Sequence, residues 1–539
     1  MKRKRLFILT AILFFFSFLV LYFAPGAVQA IRANWYNSDI LFPFSLYQSL
    51  YHAGSALDWV FGSNTPYLEL AAGWILWVLA GGNIHLTLVF YAVLQPVLLA
   101  ACLLYLARCV LGKSWLLSAL VVLFSALPVL AFALGLTRSL FFLFTWYVHI
   151  FTLGLALLAL GLAIQVLFSI PSHSWTTRVR LYLLCLITVL ATTSDALFIV
   201  QLTAPLLVML AGMWIFSLAP RNKIGWVGLS LLIGTGLGQV LYSFPLLVGA
   251  NRVGLVGSFM NANRPPLGVV WRFLLARISD AWNGASLGWI VWIGFYGACL
   301  AGVLILAWRR THGRAGRVSG RFIALFLFLL LQLAANLSSA LISANGELRY
   351  FMPVVYLPLF WGWPFLLILI PGVVKWLRES LAPPLGWGLL GLAIALLGFF
   401  LVTNPGRPAL DAYYPLEVAC IDTHAQALGL RYGITQYWSA RYTQLLSKDR
   451  LVMVQVNHDV SPFRYLNNSD GYSHDFGFIL ADPLNTSSNL VPRAEVVARF
   501  GEPAASFDCD GIEMMVYNRP SDQTFKRQFK IYLGFGTLN

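Results

Sequence analysis

The chain has 539 residues, of which 59% are hydrophobic and 11% are charged. A soluble chain carries about 25% charged residues, so this composition excludes an ordinary soluble protein. The formal net charge of +15 would suit nucleic-acid binding, but no arginine-rich tract alternates with aromatic residues in a polar segment. We therefore expect no nucleic acid among the partners.

Apolar runs recur from residue 6 to residue 402, and each is long enough to cross a bilayer core of about 30 Å. They predict a polytopic α-helical membrane domain at residues 1–402. The basic start MKRKR and residues 28–30 would also fit a cleaved signal peptide, but the length of the first run favours an uncleaved helix. We draw about eleven transmembrane helices, at 6–24, 84–107, 115–136, 140–168, 180–194, 197–218, 226–248, 287–307, 322–342, 351–371 and 385–402. The short apolar stretch 66–80 is expected to be an interfacial helix.

Lysine and arginine are unevenly distributed over the loops between these spans. The loops on the side of the N-terminus hold 17 of them and the opposite loops hold 7. By the positive-inside rule, the N-terminus is cytoplasmic, in the plasma (inner) membrane, and residues 403–539 lie on the outer face. All acids of the membrane domain except Glu379 fall on that same outer side, which predicts an outward-facing site.

The first outer loop, residues 34–69, carries three acids, Asp39, Asp58 and Glu69. A carboxylate in this place can act as a general base on an acceptor hydroxyl, or bind a divalent metal that holds a diphosphate. Ser38 or Asp39 equally fits the N-cap of a helix over residues 40–53. The two roles of Asp39 do not exclude each other.

Three further charged positions are candidates for the site. Asp195, in TTSD, interrupts an apolar stretch and indicates either a functional acid or a helix start. Arg349, in GELRYF, could bind a phosphate bidentately or lie at the interface beside Glu347. Arg272, in WRFLLARISDAW, lies on an amphipathic outer helix that could bind an anionic headgroup or simply follow the membrane surface.

The tail predicts a small soluble α/β domain. Helical spacing covers residues 415–447, and strand-like runs follow at 451–456, 476–480, 496–500 and 511–517. Cys420 and Cys509 are the two cysteines of the tail, and we expect them to pair in an oxidising compartment. His52, His85 and His149 are isolated and lack metal-ligand spacing. The absence of a Walker loop and of GxSxG in the sequence argues against an ATP-driven transporter and a serine hydrolase.

This layout resembles the GT-C superfamily of polytopic glycosyltransferases, which includes protein O-mannosyltransferases and aminoarabinose transferases. The resemblance implies transfer of a sugar from a polyprenyl-phosphate donor at the outer face, with Asp39 as the base and Asp195 as a supporting acid. It places Arg349 and Arg272 near the donor phosphate. The remaining substrate-binding candidates are Asp58, Glu69 and Glu347.

The chain departs from the superfamily pattern in two ways. Asp39 is followed by Ile40 rather than by a second acid, and no WWDYG motif is present, so a divalent metal cofactor stays an open alternative. The tail, with YGITQYWSARYTQLL, resembles uncharacterised bacterial multispanning membrane proteins. Membrane lipids are expected partners, and the sequence leaves the oligomeric state, the sugar and the acceptor open.

Two other function classes remain. A transporter or lipid flippase could use Asp195 with Pro205, Pro245 and the glycine-rich stretch 225–249 as a broken-helix site. A non-catalytic envelope assembly protein would present residues 403–539 to a partner.

Overall fold

A computed structural model describes the chain over the following ranges and a few single residues between them, among which are Tyr22 and Val354. The ranges are 35–51, 59–61, 67–111, 149–168, 175–195, 197–243, 251–252, 266–281, 286–312, 317–343, 382–404, 412–461, 466–468 and 474–517. The predicted spans 115–136 and 351–371, and most of 6–24, lie outside these residues. So do the site candidates Asp58, Glu347 and Arg349.

The N-terminal part is a bundle of helices. The helices are α1 (Ser38–Tyr51), α2 (Tyr67–Leu79), α3 (Ile84–Leu111), α4 (Ile150–Phe168), α5 (Trp175–Ser194), α6 (Ala204–Ile215), α7 (Arg221–Ser243), α8 (Leu267–Ala281), α9 (Ser286–Thr311), α10 (Arg317–Ser343) and α11 (Ala382–Thr403). A π-helix, Ile199–Thr203, precedes α6 directly. The short helix α2 coincides with the one expected at residues 66–80.

Six of the described helices are long and apolar enough to cross a membrane, namely α3, α4, α5, α7, α9 and α10. The chain is therefore a membrane protein by its helices, but the described residues show six such helices and not the expected eleven. Residues 197–218 do not form one long helix, since Ile199–Ile215 is short and covers about 25 Å at 1.5 Å per residue, less than a bilayer core of about 30 Å. Within α11, the apolar segment Leu390–Thr403 likewise belongs to the shorter apolar helices, which have 10–17 residues.

Helices α5 and α7 approach each other through glycine. A methyl group added at Gly238 would lie 2.7 Å from Cβ of Thr192 and 2.9 Å from the Val189 carbonyl oxygen, and one added at Gly234 would lie 2.7 Å from Cβ of Thr188. Small residues four apart let two helix backbones pack closely where lipid supplies no hydrophobic driving force. Because the contacting positions increase together along both helices, α5 and α7 run parallel.

The C-terminal domain is built on a six-stranded mixed sheet with the strand order β4-β3-β6-β9-β8 and β7 beside β6. Its strands are β3 (Tyr432–Gln436), β4 (Val452–Val456), β6 (Phe478–Asp482), β7 (Val491–Pro492), β8 (Ala505–Cys509) and β9 (Ile512–Val516), and its helices are α12 (Leu416–Ala427), α13 (Tyr437–Leu446) and α14 (Arg493–Phe500). All five residues of β6 are buried, as expected for a central strand covered on both faces. The α/β domain expected from the sequence is present.

A disulfide links two parts of the C-terminal domain, and a second sheet links this domain to the bundle. A disulfide joins Cys420 in α12 to Cys509 at the end of β8, with an S–S distance of 1.98 Å, and this is the pair that the sequence suggested. A second, three-stranded sheet has the order β2-β1-β5. Its strands β1 (Trp59–Phe61), β2 (Asn251–Arg252) and β5 (Asn467–Asn468) come from the first loop, the segment after α7 and the C-terminal domain.

We expect Gly238→Ala to destabilise the protein, because the added methyl group collides with the backbone and side chain of α5. Overpacking of this kind costs about 1–3 kcal/mol. Gly236→Ala is the matched control on the same helix, since no heavy atom lies within 4 Å of its added methyl group. Thermal unfolding of the detergent-purified variants measures the effect, and equal melting temperatures for the two would contradict the close helix contact.

Candidate functional site

Two buried acids meet at the first turn of α4. The backbone N–H of Phe151 donates to Oε1 of Glu69 over 3.1 Å. The hydroxyl of Thr152 donates to Oδ2 of Asp195 over 2.7 Å. A helix N-terminus carries unpaired N–H groups and a partial positive charge, so it stabilises both carboxylates.

Several hydrogen-bond donors among the described residues contact the carboxylate of Asp195. Nδ1 of His149 donates to Oδ2 over 2.7 Å, and the N–H of Leu197 donates to Oδ1 over 3.0 Å. Asp195 lies between α5 and the π-helix and is completely buried. Burial alone would raise the pKa of this carboxyl, but the charge and hydrogen bonds of His149, with Thr152 and Leu197, lower it below its usual value. We call Glu69, His149, Thr152 and Asp195 the Asp195 cluster.

The Asp195 cluster also joins α2 to α5 and to α1. The N–H of Leu68 donates to the hydroxyl of Ser194 over 2.9 Å, and the hydroxyl of Tyr47 donates to the carbonyl of Leu70 over 2.5 Å. Burial, followed by the negative charge of Glu69, raises the pKa of Tyr47 well above its usual value. Tyr47 therefore stays protonated and can act only as a neutral hydrogen-bonding group.

Asp39 lies in a different cluster, at the contact between the bundle and the C-terminal domain. The hydroxyl of Tyr437 donates to Oδ1 of Asp39, and the hydroxyl of Ser38 donates to the carbonyl of Tyr437. Both bonds connect the first turn of α1 to the first residue of α13. Asp39 is 6% exposed, so the C-terminal domain covers it.

Arg441 completes this Asp39 cluster, which consists of Ser38, Asp39, Tyr437 and Arg441. Its guanidinium group lies 5.3 Å from the ring centre of Phe42 and 5.9 Å from that of Tyr437. Its Nη1 also donates to the Ser38 carbonyl over 3.4 Å. Arg441 is 4% exposed, so this contact buries an arginine against the first turn of α1.

A third polar cluster surrounds His85, which is in the first turn of α3. Nε2 of His85 lies 2.9 Å from the carbonyl oxygen of Ala409, which can only accept, so this nitrogen carries the proton. The Tyr36 hydroxyl is hydrogen-bonded to Nδ1. Tyr413 stacks on Tyr36 with ring centres 4.2 Å apart. The segment between α11 and the C-terminal domain therefore packs on His85 and Tyr36.

The two acids proposed as catalytic do not lie together. Asp39 starts α1, and Tyr47, which reaches the start of α2, lies two turns further along, about 12 Å at 1.5 Å per residue. The described structure thus unites Asp195 with Glu69 and separates both from Asp39. Arg272 belongs to neither cluster, because it is exposed and its Nε donates to Gly268 of its own helix over 3.3 Å.

Several residues of these clusters could not be predicted from the sequence. His149 and His85 were isolated in the sequence, and their partners are 46 to 63 positions away or more distant still. Tyr437 and Arg441 lie about 400 positions from Ser38 and Asp39 along the chain. Only the helical spacing of YWSARYTQLL predicted the helix that carries Tyr437 and Arg441.

One group of side chains has the spacing of a metal site. Ligand atoms of Cys420, His424 and Cys509 all lie within 4.8 Å of one another, which is compatible with a divalent metal. The two sulfur atoms form the disulfide, however, and a disulfide sulfur lacks the thiolate charge with which cysteine binds zinc. With the disulfide formed, the residues present do not fit a cysteine-ligated metal.

No family model, no curated protein and no solved structure matches this chain. Its function is therefore inferred from its residues and from the geometry of the three clusters.

We expect the hydrogen-bonded pair of His149 and Asp195 to be strongly coupled. His149→Ala should lower the free energy of unfolding by about 3–5 kcal/mol, because it leaves Asp195 buried with its main partner removed. In an Asp195→Asn background the same substitution should cost much less. Denaturant unfolding of the two single variants and the double variant measures this coupling, and the positive φ of residue 149 cancels in the cycle. Additive effects would show that the pair does not interact.

Proposed function

We propose that the chain is a membrane transferase that takes a sugar from a polyprenyl-phosphate carrier and attaches it to an acceptor hydroxyl at the outer face. One observation carries the proposal. The carboxylate of Asp39, soon after the first apolar segment, lies at the contact between an apolar helix bundle and an α/β domain. A donor with a lipid tail and a polar sugar needs a site at such a boundary.

In the proposed reaction, Asp39 acts on the acceptor. Its carboxylate takes the proton of the acceptor hydroxyl while the hydroxyl oxygen bonds to C1 of the sugar. The bond between C1 and the phosphate oxygen breaks, and the polyprenyl phosphate leaves with the electron pair. Attack opposite the leaving group inverts C1. Because Tyr437 covers Asp39, the acceptor would reach the carboxylate when this contact opens.

The proposal also assigns a role to Arg441. Its guanidinium group lies next to the first turn of α1, and a planar guanidinium matches the oxygens of a phosphate. It would stabilise the charge that develops on the leaving phosphate. Arg349 stays a prediction for the same role, whereas Arg272 is exposed and bonds to its own helix, which suits a lipid headgroup better.

Asp195 and Glu69 would support the site without touching the reacting atoms. Both are bound to the first turn of α4, and Tyr47 links that turn to the helix that bears Asp39. We therefore assign them a positioning role. In this proposal the N-terminus is cytoplasmic, the protein is a multi-pass protein of the plasma membrane, and the C-terminal domain is extracytoplasmic.

We expect Asp39→Asn to lower sugar transfer by about 10²- to 10⁴-fold, the usual contribution of a general base. Tyr437→Phe should retain most of the transfer, because it removes the hydroxyl that covers Asp39 and leaves the carboxylate. The assay follows transfer from synthetic polyprenyl-phosphate hexoses, in proteoliposomes, to added glycan and protein acceptors.

Melting temperatures of the two variants distinguish catalysis from a purely structural role. If Asp39 only anchors the domain, Asp39→Asn weakens the hydrogen bond from Tyr437 and Tyr437→Phe removes it, so Tyr437→Phe should lower the melting temperature and transfer at least as much as Asp39→Asn does. Full transfer by Asp39→Asn would contradict the assignment. Unchanged behaviour of all acid variants, with loss of phenotype only on removing residues 403–539, would favour the assembly protein.

A second candidate, a transporter or lipid flippase, is favoured by a separate observation. The helical path breaks at Asp195 and continues as the π-helix Ile199–Thr203, a rare form that often marks functional sites. Gln201, within it, is 1% exposed, and its side-chain amide has no hydrogen-bond partner among the described residues. Broken helices of this kind bind substrates in many transporters.

Vesicle experiments test this candidate directly. A transporter should move solute or lipid across proteoliposomes without any donor sugar, and Gln201→Leu should reduce that movement at least several-fold. Asp39→Asn, in the other cluster, should leave it unchanged. Absence of both uptake and scrambling by the wild type would remove the transporter from consideration.

A further inference from the structure

The hairpin of α6 and α7 contains an open apolar groove of about 330 Å³. On α6 the lining positions recur at helical spacing and so form one stripe. Ile224 and Gly228 of α7 line the opposite side of the groove. The lining includes Leu207, Leu210, Trp214, Ile215, Ile224 and Gly228.

One end of the groove is cationic. The guanidinium group of Arg221, the first residue of α7, lies 5.7 Å from the ring centre of Trp214, which itself lines the groove. Arg221 is exposed. Because α5 and α7 run parallel, Arg178 near the start of α5 lies at this same end of the bundle, and it is exposed as well.

The turn between the two helices fixes this end. The N–H of Leu218 donates to the carbonyl of Met213 over 2.9 Å, and Ser217 has a φ of 50°. This is the bonding of a Schellman motif, which ends α6 sharply. Pro220 then precedes α7, where its fixed φ suits a helix start. Trp214 and Arg221 are therefore held close together by a short, defined connection.

We propose that this groove binds one acyl chain of an anionic glycerophospholipid whose phosphate is bound by Arg221. The proposal is independent of the sugar transfer and of Asp39. The dimensions fit, since Leu207 to Trp214 covers about 10 Å along α6, less than one leaflet of about 15 Å. An anionic headgroup complements Arg221 and Arg178, and the guanidinium plane can bind two phosphate oxygens at once.

Gly228 keeps the groove open. A methyl group added there would meet only Cδ1 of Leu210, at 4.0 Å, so a larger side chain can enter the groove without a backbone collision. Gly228→Leu should therefore fill the space that the acyl chain occupies. Gly236→Leu is the matched control on the same helix, because nothing lies within 4 Å of its added methyl group and it does not line the groove.

The experiment measures lipid retained by the full-length protein. The wild type, Gly228→Leu, Gly236→Leu and Arg221→Gln are delipidated in detergent and titrated with phosphatidylglycerol or phosphatidylcholine, and bound lipid is counted by native mass spectrometry. We expect the wild type and Gly236→Leu to bind phosphatidylglycerol at least tenfold more tightly than phosphatidylcholine. Gly228→Leu should lose the bound lipid, and Arg221→Gln should lose the preference for the anionic headgroup.

Melting temperatures measured in the same titration show whether a variant has a folding defect. Added phosphatidylglycerol should raise the melting temperature of the wild type and of Gly236→Leu, with little effect on Gly228→Leu. Equal binding by all four proteins, or no preference between the two lipids, would overturn the proposal. So would binding of polyprenyl phosphate that phosphatidylglycerol does not displace.

Discussion

A carboxylate can be buried in an apolar helix bundle only where hydrogen-bond donors and a counter-charge meet it, and the Asp195 cluster satisfies this condition. Its donors come from the first turn of α4 and from the break after α5. The same turn binds Glu69 of α2. Hydrogen bonds at and beside these two acids therefore connect four helices, α1, α2, α4 and α5.

The contact between α1 and α13 is the second constraint, because it determines where the soluble domain lies. Ser38 and Asp39 bind Tyr437, and Arg441 packs between Phe42 and Tyr437. The sheet that contains β1, β2 and β5 adds backbone hydrogen bonds between the same parts of the chain. A domain attached in this way covers the acid of the first loop, which makes an opening of the contact part of any catalytic role for Asp39.

The two ends of the bundle differ in their chemistry. Buried acids and their neutral or cationic partners lie at the end where α5 finishes and α4 begins, whereas arginines lie exposed where α5 and α7 begin. Between them the groove of α6 and α7 is apolar throughout. This polarity agrees with the distribution of lysine and arginine along the sequence, and it separates the buried acids from the exposed arginines.

The sequence by itself determined the class of the protein, because apolar runs, turn residues and the change of composition near residue 402 are local properties. It also indicated the α/β tail, the cysteine pair and the acids Asp39, Glu69 and Asp195. Only the tertiary structure decided which acids meet, that Tyr437 covers Asp39, and that residues 197–218 form a π-helix and a short helix. Those outcomes depend on contacts between positions 43 to 400 residues apart, and no periodicity along one segment encodes them. The span expected at 197–218 failed for a related reason, since hydropathy records apolar length and not where a helix is interrupted.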